Sequence, residues 1–139
     1  MNNVSSTTLA VAAGVLILVV LVIATVFAKR RPKRLKTDYF SKRWVTIQRQ
    51  CADKSTWPLA IIDADKLLDE ALKRRKYKGK TMGERMVSAQ RDITDNDSVW
   101  FAHKLRNRLV HEQTAPMKEG IVKDALKGIR SALRDLGAL

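Results

Sequence analysis

One cysteine, Cys51, is all the thiol that this 139-residue chain contains. No disulfide can close within it and no cysteine metal cluster can be built, as fits a reducing cytoplasm. Proline is scarce, with three in all, and each stands at a helix start or in a connection. No strand pattern, internal repeat or low-complexity tract interrupts the chain. From Leu9 to Ala28 there is neither charge nor proline, and the eight residues before that run, MNNVSSTT, hold no basic side chain.

Twenty apolar residues at about 1.5 Å each make roughly 30 Å of helix, the thickness of a hydrocarbon core. Such a helix satisfies its own backbone polar groups in lipid. The sequence therefore predicts a transmembrane helix over 8–28, after a short tail, 1–7. A cleaved secretory signal would carry a basic region first, a shorter apolar run and a small-residue cleavage site, and these do not occur in that order. Lys29-Arg30-Arg31-Pro32-Lys33-Arg34 follows at once. Basic residues on one side only place the N-terminus outside and the rest in the cytoplasm, a single-pass protein of the cell membrane.

Residues 29–37 read as a basic linker, and 38–139 as one modest cytoplasmic domain. Eight of the 27 Lys and Arg, with one of the 14 acidic residues, fall in 29–43. Nineteen basic and thirteen acidic residues remain elsewhere, so the distal part is also basic. The first cluster suits topology and anionic headgroups. The distal excess suits an anionic partner such as RNA, or simple solubility.

The distal part reads as all-α: an up-and-down bundle of four longer helices plus one short one. Phe40, Trp44 and Ile47 mark the apolar face of a helix from Asp38 to about Cys51, which Pro32 would kink or break from the span. A second helix opens with Ser55 or Thr56 as cap and Pro58 in its first turn, and is expected to stop at Gly79. Thr81-Met82-Gly83-Glu84 has capping-box form and opens the short helix, with Glu84 reaching back to the cap. A fourth helix spans about Asp97 to Glu112. After Pro116, a fifth packs Ile121, Ala125, Ile129, Leu133 and Leu136. The three tryptophans, Trp44, Trp57 and Trp100, sit at core spacing.

His103-Lys104-Leu105-Arg106-Asn107-Arg108-Leu109-Val110-His111-Glu112 concentrates the chemistry. With His103 at 0°, Asn107 lies at about +40°, His111 at about +80° and Arg106 at about −60°. An imidazole can take a proton from a 2′-hydroxyl or give one to a leaving oxygen, and an arginine can stabilise charge on phosphoryl oxygens. An amide beside them can orient either. Such residues also occur on ordinary solvated helix faces. His103 and His111 form no metal site with Glu112, because a third ligand at suitable helical spacing is lacking, so neither metal nor cofactor is expected.

Arg106-Asn107-Arg108-Leu109-Val110-His111 has the form R-N-x-x-x-H, which resembles the signature of the HEPN superfamily. The resemblance covers roughly 55–139, a small all-α bundle with the motif late in a helix. It implies a metal-independent endoribonuclease or an RNA-binding or interaction module, a homodimer with paired motifs, and in some members a toxin held by a partner such as an antitoxin. By that resemblance Arg106 contacts the scissile phosphate, Asn107 orients and His111 transfers a proton. His103 lies outside the motif and is added from the helical arc alone.

Asp65 falls within about 40° of the centre of the apolar stripe formed by Ile61, Leu68 and Leu72. Either it is buried and paired with Arg106 or His103, which it would then orient, or it sits at the solvent edge. Lys73-Arg74-Arg75-Lys76-Tyr77-Lys78-Gly79-Lys80 has six basic residues in eight. It reads as a solvated helix end favoured by the dipole, as an RNA contact with a stacking tyrosine, or as a face for anionic lipid.

Overall fold

The computed structural model describes residues 3–30, 34–111 and 117–139, with side chains described for 7–25, 34–111 and 117–139. The expectations for Pro32, Glu112 and Pro116 lie outside the described residues. The chain is all-α, with six helices and no strand among the described residues. It divides into two units, Met1–Pro32 and Lys33–Leu139.

The first unit is one helix, α1 (Asn3–Arg30). Within it Thr7–Thr25 is long and apolar enough to cross a membrane, as a membrane anchor or a signal sequence is. The Thr25 hydroxyl donates to the Val22 carbonyl at 2.8 Å, so this polar group is satisfied inside the helix. The helix extends past both ends of the expected span, taking in residues 3–7 of the supposed tail and the start of the linker. Propagation adds a hydrogen bond for each residue fixed, and no proline intervenes before Pro32.

The second unit holds α2 (Thr37–Gln50), α3 (Trp57–Arg74), the short α4 (Met82–Ala89), α5 (Asn96–His111) and α6 (Glu119–Asp135). Four are longer and one is short. Their arrangement departs from a simple sequence of neighbours, because α3 packs against α2, α4, α5 and α6, while α5 packs against α6. The reason lies in α3 itself. Ala60, Ile61, Ala64, Leu67, Leu68, Ala71 and Leu72 are all buried, with Asp65 among them. Together they cover an arc of about 160°, wider than the stripe of a helix with one partner. Phe40, Trp44 and Ile47 of α2 and Ala125, Ile129 and Leu133 of α6 complete the core.

Local chemistry sets the ends. A short 3-10 turn, Lys54–Thr56, leads into α3. Neither Ser55 nor Thr56 caps α3 through its side chain. Thr56 instead donates its hydroxyl to the carbonyls of Gln50 and Asp53, which binds the turn to the end of α2. The far end of α3 also differs from expectation. It stops at Arg74, with Lys76 in the left-handed region at φ 63°. Tyr77 N–H donates to Leu72 at 3.1 Å and Lys76 N–H to Lys73 at 2.9 Å, the Schellman pattern. Gly79, the expected stop, has a different duty: a Cβ there would lie 2.6 Å from the Arg85 nitrogen.

The Thr81 hydroxyl accepts from Glu84 N–H at 3.2 Å, but Glu84 reaches past the cap to Lys80 N–H at 2.7 Å. Asp95 accepts from Ser98 N–H at 3.0 Å and opens α5. Where α6 crosses that first turn, a Cβ on Gly128 would meet the Ser98 backbone at 2.8 Å. A residue without a side chain is what lets α5 and α6 close together there.

Candidate functional site

A connected polar group joins α3 to α5. Asp65, on the edge of the buried arc of α3, is 3 % exposed. Such a carboxylate is costly unless it is paired and hydrogen-bonded. His103 Nδ1 lies 2.9 Å from Asp65 Oδ1, and Arg106 Nε lies 3.5 Å from Asp65 Oδ2. Arg106 Nη1 donates to Asn107 Oδ1 at 3.0 Å, and Asn107 Nδ2 faces His103 Nε2 at 3.4 Å. The four side chains thus form a ring, Asp65, His103, Asn107, Arg106 and back to Asp65, whose last link is an ion pair, with Arg106 Nε making no hydrogen bond.

The ring also fixes directions. An ionised carboxylate accepts only, so His103 Nδ1 carries the proton towards Asp65. Arg106 can only donate, so it holds Asn107 Oδ1 towards itself and turns the amide nitrogen to the imidazole. His103 Nε2 is therefore the acceptor end of the ring. A carboxylate on one imidazole nitrogen orients the histidine, and the other nitrogen meets only the long 3.4 Å contact from Asn107. Trp100 holds the imidazole from the side, edge to face with 6.1 Å between centroids.

All four side chains line a hollow of about 420 Å³ between α3, α4 and α5, shared with Lys66, Asp69 and Arg85. Arg85 is buried on α4. Its Nε and Nη2 donate to Asp69 Oδ1 at 2.8 and 2.6 Å, and its Nη1 donates to the Gly79 carbonyl at 2.9 Å. Lys73 Nζ takes the other oxygen of Asp69 at 2.7 Å. Burial pushes the Asp69 carboxyl upward, but hydrogen bonds and charge from Lys73 and Arg85 outweigh it and hold it below the ordinary range. Three cations, Lys66, Arg85 and Arg106, thus stand against two carboxylates around the hollow.

Of the residues singled out by sequence, Asp65, His103, Arg106 and Asn107 are brought together. Of the two placements open to Asp65, the structure has the buried one, and it pairs with both candidates. His111 is not brought in. It is the last residue of α5, exposed, about 140° around the helix from Arg106 and outside the hollow's lining. Among the described residues no group of three or more His, Cys, Asp or Glu side chains converges as a metal site would.

The basic run is partly engaged inside the domain. Lys73 pairs with Asp69, Arg74 pairs with Glu70 and stacks on Tyr39 at 4.5 Å, and Arg75 is half-buried. Tyr77, the expected stacking platform, donates its hydroxyl to Asp92 at 2.6 Å. Lys76, Lys78 and Lys80 are exposed. Trp44 and Trp57 are core residues, as their spacing predicts, whereas Trp100 is half-buried against His103.

Sequence reasoning overlooked Arg85 and Asp69. An arginine between Met82, Met86 and Ala89, on the apolar side of a short helix, is itself a signal of a buried pair. Asp69, four residues after Asp65, shares its face of α3 and was available as the partner.

Compared with known proteins, the chain matches no protein-family model, no curated protein and no solved structure. The geometry of the hollow is accordingly what bears on function.

Proposed function

We propose that this chain is a membrane-tethered, HEPN-like domain that binds RNA in the hollow between α3, α4 and α5 and cleaves it without a metal. The observation that carries the reading is the Asp65–His103–Asn107–Arg106 ring, which opens onto that hollow. Arg106 belongs to the R-N-x-x-x-H segment and brings a fixed positive charge to a phosphate. His103, held by Asp65, takes the proton of a 2′-hydroxyl at Nε2, where the hydroxyl displaces the long 3.4 Å contact from the Asn107 amide. The freed oxygen attacks phosphorus, the 5′-oxygen leaves with a proton, and a cyclic phosphate and a 5′-hydroxyl result. In a homodimer, the exposed His111 at the end of α5 would supply the leaving-group proton from the second copy. The apolar helix α1 is the anchor, with the N-terminus outside and the domain in the cytoplasm, as the one-sided basic flank indicates.

The test is incubation of the full chain, in lipid nanodiscs, with end-labelled single-stranded RNA and EDTA. Cleavage is expected, with a fall of roughly 100-fold or more in Arg106→Ala and His103→Ala, the scale of a lost acid, base or charge stabiliser. A second reading is a non-catalytic docking module at the membrane. It is favoured by the commitment of Arg106 to Asp65, which makes the ring a tie between α3 and α5. On that reading RNA stays intact, and Arg106→Ala alters stability alone.

A further inference from the structure

We propose that the soluble unit lies against an anionic phospholipid surface through a basic patch assembled from two distant segments, Arg34–Lys36 and the C-terminal end of α3. The inference rests on the reading of α1 as an anchor. Leu35 is buried at 7 % exposure, while Arg34 and Lys36 on either side of it are exposed. Leu35 therefore fastens the segment preceding α2 to the domain and turns its two neighbours outward. Arg34, Leu35 and Lys36 share a hollow of about 460 Å³ with Lys73, Arg74 and Lys76. They also line an adjoining one of about 530 Å³ with Asp38 and Lys42. Two basic runs separated by some forty residues are thus one surface.

Its charge is available. Lys73 and Arg74 are committed to Asp69 and Glu70. Arg34, Lys36, Lys42 and Lys76 make no ion pair among the described residues, and Asp38 is the one acid lining either hollow. Lys76 holds φ 63°, a conformation glycine adopts without strain, so a lysine is kept at this edge against local preference.

The covalent connection favours lipid over a dissolved polyanion. Arg34 follows the apolar stretch ending at Thr25 by nine residues, roughly 30 Å even when fully extended. An anchored chain thus meets headgroups at high effective concentration, whereas RNA must be captured from solution. Each lysine or arginine brought to an anionic surface gains roughly fivefold in local preference, and the gain falls off within a screening length of about 8 Å at physiological salt.

The experiment uses the full chain in nanodiscs of phosphatidylcholine alone or with a third phosphatidylglycerol, and maps lysine reactivity with an amine-acylating reagent. Retention in bilayers after alkaline carbonate washing is measured first, and a chain washed free overturns the anchor reading beneath the proposal. With the chain retained, Lys36, Lys42 and Lys76 are expected to label several-fold more slowly in the anionic discs. The difference should vanish in 0.5 M salt (roughly a 4 Å screening length), with Lys104 and Lys127 unchanged. Lys76→Gly should melt at a higher temperature yet lose protection at Lys36, a combination that misfolding cannot produce. Equal labelling in the two lipids overturns the patch. So does protection of the same lysines in neutral discs only when single-stranded RNA is added, which would assign the surface to RNA.

Discussion

The Asp65 carboxylate accepts a 2.9 Å hydrogen bond from His103, and the two residues lie thirty-eight positions apart on different helices. This contact joins the central helix to the helix that carries the R-N-x-x-x-H segment. Removing the carboxylate leaves His103 without its acceptor and Arg106 without its counter-ion. Asp65→Ala is expected to destabilise the domain by about 2–3 kcal/mol, below the largest values for broken buried pairs because Arg106 retains access to water. Urea unfolding followed by circular dichroism at 222 nm measures it. A loss under about 0.5 kcal/mol would show the ring to be incidental.

Acid sensitivity should arise in part at Asp69. Its carboxyl is held below the ordinary range by Lys73 and Arg85 in spite of burial. A depressed folded-state pKa contributes stability above the unfolded value, near 4, and that contribution is lost as pH falls through the folded one. The wild-type urea midpoint should therefore drop below about pH 4. In Asp69→Asn the drop should be shallower and the stability at pH 7 lower. Parallel pH profiles for the two proteins would contradict this.

Close packing of α6 on α5 depends on the absence of a side chain at Gly128. The added Cβ of Gly128→Ala would lie 2.8 Å from Ser98 backbone atoms, which cannot swing aside. The helices must separate, at a cost of about 1–3 kcal/mol despite alanine's better helix propensity. Gly120→Ala, on the same helix with nothing within 4 Å, should be neutral or slightly stabilising. Thermal melts of the two variants should move in opposite directions, and equal shifts would refute the packing account.

The helices were legible because their apolar spacing is regular, and the burial of Phe40, Trp44 and Ile47 follows directly from it. Asp65 was legible as an anomaly, a carboxylate beside an apolar stripe. What the sequence concealed was tertiary. The width of the α3 arc, which makes it the centre, emerges only when all its neighbours are present. The Lys76 turn was hidden because a lysine occupies a place where glycine is the usual sign. Position along the motif also does not show which neighbours a residue has within one copy: a spacing of five residues turns His111 away from Arg106, while His103, outside the motif, faces the same hollow.

The central claim is that the Asp65–His103–Asn107–Arg106 ring works on RNA, and rates of RNA cleavage by the full chain in nanodiscs, with EDTA present, test it most directly. The expected result is cleavage by the wild type to cyclic-phosphate ends, and a loss of roughly 100-fold or more in His103→Ala and Arg106→Ala at unchanged helicity. Intact RNA with the folded wild-type chain, or equal cleavage by all three proteins, would contradict it.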